Sequence, residues 1–391
     1  MLPFDVDLSK LSSNWESFYD NRELTLSNKE VFKGFSNISL YSPASYIPQA
    51  IGIFLARHLT TNIAMIAYAG RIFNWIFITI LLYLAIKILP VGKRFMVLIA
   101  LMPMNIHESI CLAPDGVVVA TSMLIVSLVV KFRHQAKARM HCSEVFVLYC
   151  LAISISLLKI VYLPFCLLYI LIPQECFGGK KQKLFHAGII AILTASLNLM
   201  WLGICNKFLS VSGTNAVAQL AYIIKNPIDY IIVLLNTFFN QSGFWANTMI
   251  GSYLGELNIA TVPISILLYM GMLMYNFVSP NKTAYRLETR DKIENGIFGF
   301  VVFSIMLLIS TSLYIQWTAP YKDIIEGIQG RYFIPLLLPL FFAVNNPNLL
   351  IKKANEYEDK LSLKMCGLLV CINLCACIKV LFSCIVLRRV I

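Results

Sequence analysis

Two short stretches concentrate the groups able to do chemistry. In Gln329-Gly330-Arg331-Tyr332-Phe333 a polar loop (residues 318–330) runs into an apolar segment, and an arginine stands at the join among aromatics. Its guanidinium is a planar fork of donors that matches a phosphate or pyrophosphate. Arg and Tyr are also ordinary anchors at the end of a membrane span, so that reading stays beside the first. The second stretch runs from His107 and Glu108 to Asp115 and Gly116, through a very short turn between apolar runs. Asp115 either caps the following helix, accepting from free backbone N–H groups at its positive end, or faces an outer cavity. There a carboxylate binds a metal or a sugar hydroxyl, or accepts a proton. Glu108 and His107 lie near the same mouth.

Three further places hold polar groups inside or beside apolar runs. Arg71 lies about a third of the way into the first run, too deep to reach water easily, so it calls for a partner; Asp115 and a ligand phosphate are the candidates. Lys159, with Tyr162 one turn on, falls at a break between two short runs; it is a plain interfacial lysine or a second cation for the phosphate held by Arg331. Residues 251–263 carry two glycines and a proline around Glu256, as a shaped loop would. Phosphate loops, Gly-x-Ser-x-Gly, His-Glu-x-x-His and nucleotide-binding patterns are absent.

Composition sets the class of element that must position these groups. The chain has 391 residues, 58% hydrophobic and 13% charged, with mean hydropathy +0.74. A soluble protein carries roughly twice that charged fraction. The expectation is an all-α, polytopic transmembrane helical bundle. Its formal charge of +12 then marks cytoplasmic loops and not a nucleic-acid partner. The eleven cysteines contain no CxxC pair, and those in apolar runs (Cys111, Cys150, Cys166, Cys205, Cys371, Cys375, Cys377 and Cys384) are expected as small buried hydrophobes. No cofactor is called for; a divalent metal is left open.

Apolar runs at 61–89, 94–112, 115–132, 143–158, 160–173, 184–206, 260–278, 296–316, 332–346 and 363–387 predict about ten spans, several near the minimum length for a bilayer. Residues 228–239 are expected as a re-entrant or interfacial piece. Residues 1–60 are expected as an extracytoplasmic loop ending in an interfacial helix, 61–346 as the core, and 347–391 as a cytoplasmic loop and a last span. With this count the basic clusters fall on alternate loops: Lys87, Lys93 and Arg94; Lys131, Arg133, Lys137 and Arg139; Lys180, Lys181 and Lys183; Lys282, Arg286, Arg290 and Lys292; Lys352, Lys353, Lys360 and Lys364. Arg388 and Arg389 break the pattern. The chemistry-bearing residues then lie toward the outer face.

Six signals in order carry a resemblance: Tyr46-Ile-Pro-Gln-Ala-Ile-Gly, Gly70-Arg71, Ala113-Pro-Asp115-Gly116, Lys159 with Tyr162, the 251–263 loop, and Gln329-Gly-Arg331-Tyr332-Phe333-Ile-Pro. Over about residues 41–346 the chain resembles the bacterial membrane-protein family catalogued as domain of unknown function 2142, related to GT-C-type glycosyltransferases. The resemblance implies a GT-C-like fold. It also implies transfer of a sugar from a polyprenyl-phosphate carrier to a cell-envelope glycan, at the outer face of the cytoplasmic membrane. Asp115 or Glu108 would be the acid/base or acceptor-binding group. Arg331 and Lys159 would hold the lipid phosphate, with Arg71, Tyr162 and Gln329 beside them. Family members usually begin with one more span and an acidic outer loop resembling Pro-Asp-Glu-x-x-His. Neither Asp5 nor Asp7 stands in such a context, so a truncated or inactive relative is expected beside an enzyme. A lipid-linked oligosaccharide transporter or polymerase, or a non-catalytic scaffold, are the other classes considered.

Overall fold

The computed structural model describes residues 23–26, 41–135, 139–205, 216–255, 257, 259–278, 292–320, 322–344, 364 and 367–379. The described chain is nearly all helix. In order it forms α1 (Ile47–Arg57), α2 (Ile63–Ile88), α3 (Lys93–Ala100), α4 (Pro103–Ile110), α5 (Asp115–Gln135), α6 (Cys142–Leu158) and a 3-10 helix, Ile160–Leu171. Next come α7 (Lys180–Cys205), α8 (Ala216–Lys225), α9 (Pro227–Ile250), the short antiparallel pair β1 (Tyr253–Leu254) and β2 (Ile259–Ala260), α10 (Pro263–Val278) and α11 (Lys292–Gln316). A second 3-10 helix, Gly330–Leu336, continues into α12 (Leu337–Val344), and α13 (Gly367–Lys379) ends the described chain. Glu256, Lys137, Lys282, Arg286, Arg290, Lys352, Lys353, Lys360, Cys384, Arg388 and Arg389 lie outside the described residues, as do Asp5 and Asp7.

The molecule is built around α5. Between Gly116 and Val130 its residues are apolar or small on every side, which is the pattern of a helix buried all round. In its most apolar stretch 94% of residues are buried, against 28% for α2, 17% for α7 and 28% for α11. Its few hydroxyls need no outside partner: Ser122 donates to Val119 O (2.8 Å) and Ser127 to Met123 O (2.8 Å). Around it α2 turns inward a stripe of Ile66, Gly70, Asn74, Ile78, Leu82 and Ala85. Its opposite side leaves Ile72, Trp75, Ile76 and Ile80 exposed, as lipid-facing side chains are.

Four described helices are long and apolar enough to cross a membrane, or five if the bent pair α8–α9 counts as one. The protein is therefore a multi-pass helical membrane protein. Several expected spans take a different form, and proline is the common cause. The 94–112 run is split into α3 and α4: Pro103 has no N–H to offer and holds Met102 extended, while the Asn105 amide takes up the freed carbonyls of Ile99 (3.3 Å) and Ala100 (3.2 Å). The 160–173 run, with Pro164 inside it, is a 3-10 helix, and the 332–346 run begins as one around Pro335. Residues 228–239 are part of a longer helix, α9, bent 106° from α8. Its asparagines and glutamine stay helical because their amides find carbonyls, Asn240 on Asn236 O (2.7 Å) and Gln241 on Ile325 O (3.2 Å). Cys150, Cys371, Cys375 and Cys377 are exposed side chains of apolar helices, not buried ones.

The bundle has two charged ends. At one, Arg133 and His134 of α5 meet the buried Glu294 of α11 (3.4 and 3.1 Å), and Lys131 meets Glu144 of α6 (3.3 Å). Met140 N donates to Cys176 O (2.8 Å), which brings the 139–141 and 174–179 connections to that same end. At the other end of α5, about 30 Å away by helix rise, stands Asp115.

Candidate functional site

Asp115 is the first residue of α5, and it is not a free helix cap. One carboxylate oxygen pairs with Lys159 Nζ and the other lies 3.4 Å from Arg331 Nε. Arg331 Nη1 in turn donates to Glu108 Oε1 at 2.8 Å. Two carboxylates and two cations from α4, α5, the α6 break and the second 3-10 helix thus form one connected node. Asp115 and Lys159 are buried, while the Arg331 side chain keeps 27% of its surface open. Lys159 is walled by aromatics, its Nζ 5.0 Å from the Tyr41 ring centre and 4.8 Å from that of Tyr332. Tyr46 sits at the rim; burial, and then the neighbouring Tyr41, push its hydroxyl up to about 12, so it stays protonated.

Local structure explains why these four meet. Lys159 is an extended residue (φ −154°, ψ 119°) between α6 and the 3-10 helix, so the break points its side chain out of both. Ser45 Oγ donates to Leu158 O (3.1 Å) and Gln49 Nε2 to Ala113 O (3.2 Å). The segment leading into α1 therefore fastens the two turns that carry Lys159 and Asp115. Asn74 of α2 holds the same α4–α5 turn through Ser109 O (3.1 Å) and Cys111 O (2.9 Å). Gly52 lets α1 lie directly on α2; a Cβ there would stand 2.5 Å from Ala69 O. Gly330 does the same for the arginine: a Cβ would collide with Trp245 O and Met249 N, and its own N–H donates to Thr248 Oγ1 (3.1 Å). Gly330 thus marks a close approach of two backbones.

The structure brings Asp115, Glu108, Arg331 and Lys159 together. The other expected residues are placed differently. Tyr162 is fully buried, with its hydroxyl donated to Tyr332 O (2.9 Å); it ties the two 3-10 helices and faces no open space. Arg71 lies on an exposed face of α2, 5.5 Å from the Tyr68 ring centre, and makes no ion pair with Asp115. The partner its depth seemed to demand is the aromatic face one turn before it. Gln329 lines a cleft beside α9 and stands outside the ionic contacts. The His107 ring lies 3.6 Å from Cys111 Sγ. Among the described residues no three His, Cys, Asp or Glu are grouped to hold a metal.

Sequence reasoning missed Gln49, Asn74, Ser45 and Tyr41. Their signal is visible afterwards: an amide inside an apolar stripe needs a partner, and turn carbonyls need donors.

Chemically, the node offers one carboxylate oxygen without a partner. Glu108 Oε2 is buried and accepts no hydrogen bond, whereas both Asp115 oxygens face cations. A hydroxyl brought to Glu108 supplies what that oxygen lacks. An anion brought to the open side of Arg331 meets its remaining donors.

Residues 5–340 match the model of a family described as "Predicted membrane protein (DUF2142)". No curated protein and no solved structure matches the chain. A match over most of the length, which takes in every residue of the node, places the chain in the DUF2142 family of predicted membrane proteins.

Proposed function

We propose that the chain is a GT-C-like glycosyltransferase of the cytoplasmic membrane, taking a sugar from a polyprenyl-phosphate carrier and adding it to a cell-envelope glycan at the outer face. The observation that carries this is the node itself: a buried carboxylate with an unpaired oxygen beside an arginine whose side chain keeps 27% of its surface open. In the reaction, Glu108 Oε2 takes the proton of the acceptor hydroxyl. The acceptor oxygen bonds to the anomeric carbon, whose bond to the phosphate oxygen breaks. The electron pair departs on the phosphate, where Arg331 offsets the developing charge. Asp115, itself paired with Lys159, holds the arginine in place. A transporter would want charged groups along a path through both leaflets. Here the middle of α5 offers Thr121, Ser122 and Ser127, all buried.

The same reading keeps the ten-span layout. The 3-10 helix Ile160–Leu171 rises ~24 Å and the Gly330–Val344 piece ~26 Å, close to the ~30 Å hydrocarbon core. Runs of α3 with α4, α6, these two pieces, α10 and α13 then cross between the charged ends beside α2, α5, α7 and α11. α9 does not: Tyr230 near its start bonds Thr311 (2.7 Å) in the last turns of α11, and Thr248 near its end bonds Gly330, so it runs across the node's end.

The test is sugar transfer in membranes carrying the full gene product, with labelled polyprenyl-phosphate sugars as donors. Glu108→Gln should lower transfer by about 10²–10⁴-fold, as loss of a general base does. Arg331→Ala should raise the donor KM as well. No transfer from any donor, together with an unchanged envelope glycan when the gene is deleted, would overturn the assignment.

A further inference from the structure

The cleft beside α9 is separate from the ionic node and is assigned to nothing above except by the presence of Gln329. Its volume is ≈ 410 Å³, and its walls include Gln241 and Phe244 of α9, Leu257 of the β1–β2 hairpin, and Glu326 and Gln329 of the loop before Arg331. We propose that this cleft binds a neutral polyhydroxylated chain, the acceptor glycan, and that Gln329 serves it and not the lipid phosphate. This rests on the transferase reading for the word acceptor, and on the cleft's own chemistry for the ligand class.

That chemistry is specific. Two primary amides (Gln241, whose Nε2 also donates to Ile325 O at 3.2 Å, and Gln329) and the Glu326 carboxylate supply donors and acceptors of the kind that sugar hydroxyls use. Phe244, 44% exposed, offers the flat apolar face against which a sugar ring's C–H side packs. Glu326 argues against an anionic ligand: it pairs with Lys322 at 3.4 Å, and this exposed pair leaves the carboxylate half open. A lipid tail would bring hydrocarbon against Gln241, Glu326 and Gln329, where a ligand with hydroxyls finds polar groups.

The cleft is also shaped, not incidental. Leu257 has φ 64°, the one non-glycine residue with a left-handed backbone among the described residues, and it lies two positions after Gly255 at φ 68°. Such a conformation persists only where surrounding structure enforces it. The hairpin that carries Leu257 also reaches the node: Gly251 packs against Met104 N and Pro103 of α4, and the backbone of Gly255 meets the His107 ring beside Glu108. One wall of the cleft is thus continuous with the element that bears the proposed base. The opposite wall runs from Gln329 through Gly330 to Arg331.

The experiment is saturation-transfer NMR on the protein in lipid nanodiscs. The probes are neutral trisaccharides of glucose, mannose, galactose and N-acetylglucosamine, with trigalacturonate as the anionic comparison. At least one neutral trisaccharide should receive saturation from the wild type, and trigalacturonate should not. Phe244→Ala and Gln241→Ala should each weaken binding by about tenfold, the scale of one lost polar or aromatic contact. Phe244→Trp should retain it, which separates a lost contact from a lost fold. No binding of any neutral probe, equal binding of trigalacturonate, or unchanged binding in both alanine variants would overturn the proposal. Arg331→Ala should bind the trisaccharide as the wild type does while failing to transfer. Binding without transfer from any donor would remove the transferase reading and leave the glycan cleft standing.

Discussion

At the scale of residues, Asp115 is best understood through what it neutralises. A buried lysine is tolerable only with a counter-charge, and Asp115 supplies it while also facing Arg331. Removing one member of a buried pair typically costs about 3–5 kcal/mol, because the other charge is left uncompensated. Asp115→Asn should therefore destabilise the protein strongly, by stranding Lys159 behind Tyr41 and Tyr332. Lys159→Met should cost less, since Asp115 keeps Arg331. The double variant Asp115→Asn/Lys159→Met should be more stable than Asp115→Asn alone, a coupling of about 1–3 kcal/mol. Thermal unfolding of the four proteins in one detergent measures it. Additive losses would mean that the two side chains do not depend on each other. Much of this node was legible in the sequence, because charges beside apolar runs are few and each demands an explanation. The error at Arg71 has the same origin in reverse: depth along a run was taken for burial, while the exposed face of α2 and the ring of Tyr68 were invisible without the fold.

At the scale of elements, the arginine is placed by backbone contact more than by side chains. The second 3-10 helix starts where Gly330 touches α9, and no larger residue fits between Trp245 O and Met249 N. Gly330→Ala should force the two elements apart, move Arg331 from Glu108, and destabilise by more than the loss of a single hydrogen bond. Thr248→Val removes the bond to Gly330 N (3.1 Å) together with the hydroxyl's own donation to Phe244 O (2.7 Å), and should cost about 1–3 kcal/mol, as an unsatisfied buried amide does. Denaturant or heat titration of both variants checks the order; a milder Gly330→Ala would mean that α9 yields easily. Asn74→Leu belongs to the same class, freeing the carbonyls of Ser109 and Cys111 at the turn before Asp115. These contacts were not legible because nothing local distinguishes a glycine needed for close approach from one needed for flexibility. The proline breaks were partly legible: Pro103 sits inside the 94–112 run, yet only the folded chain shows that Asn105 makes the break stable by satisfying two carbonyls.

At the scale of the whole molecule, the hydrophobic pattern announced a membrane bundle, and its buried axis, α5, came with a weakly amphipathic sequence. What the pattern could not supply was which runs cross, since length alone separates a span from a surface helix and 3-10 winding changes the length. The charged ends resolve the geometry. Lys131, Arg133, Arg139 and Lys183 gather where Met140 meets Cys176, and Lys159 and Arg331 gather at Asp115, with apolar helix between. Positive charge is retained on the cytoplasmic side of membranes, and the first set lies at the ends of α5 and α7 and in the connection at Arg139, with Glu144 and Glu294 as its carboxylate partners. The node should therefore face outward. Reporter fusions test this in a bacterial host. Green fluorescent protein joined after Gly178 should fluoresce, as it does in the cytoplasm, and alkaline phosphatase there should be silent. Joined after Glu326, the two reporters should exchange behaviour. The reverse pattern would put the node, and any lipid-linked donor it binds, on the cytoplasmic face, where soluble nucleotide sugars are available and a polyprenyl carrier is not required. Equal behaviour at both points would mean that the pieces between α7 and the second 3-10 helix do not cross in the odd number that the two charged ends demand.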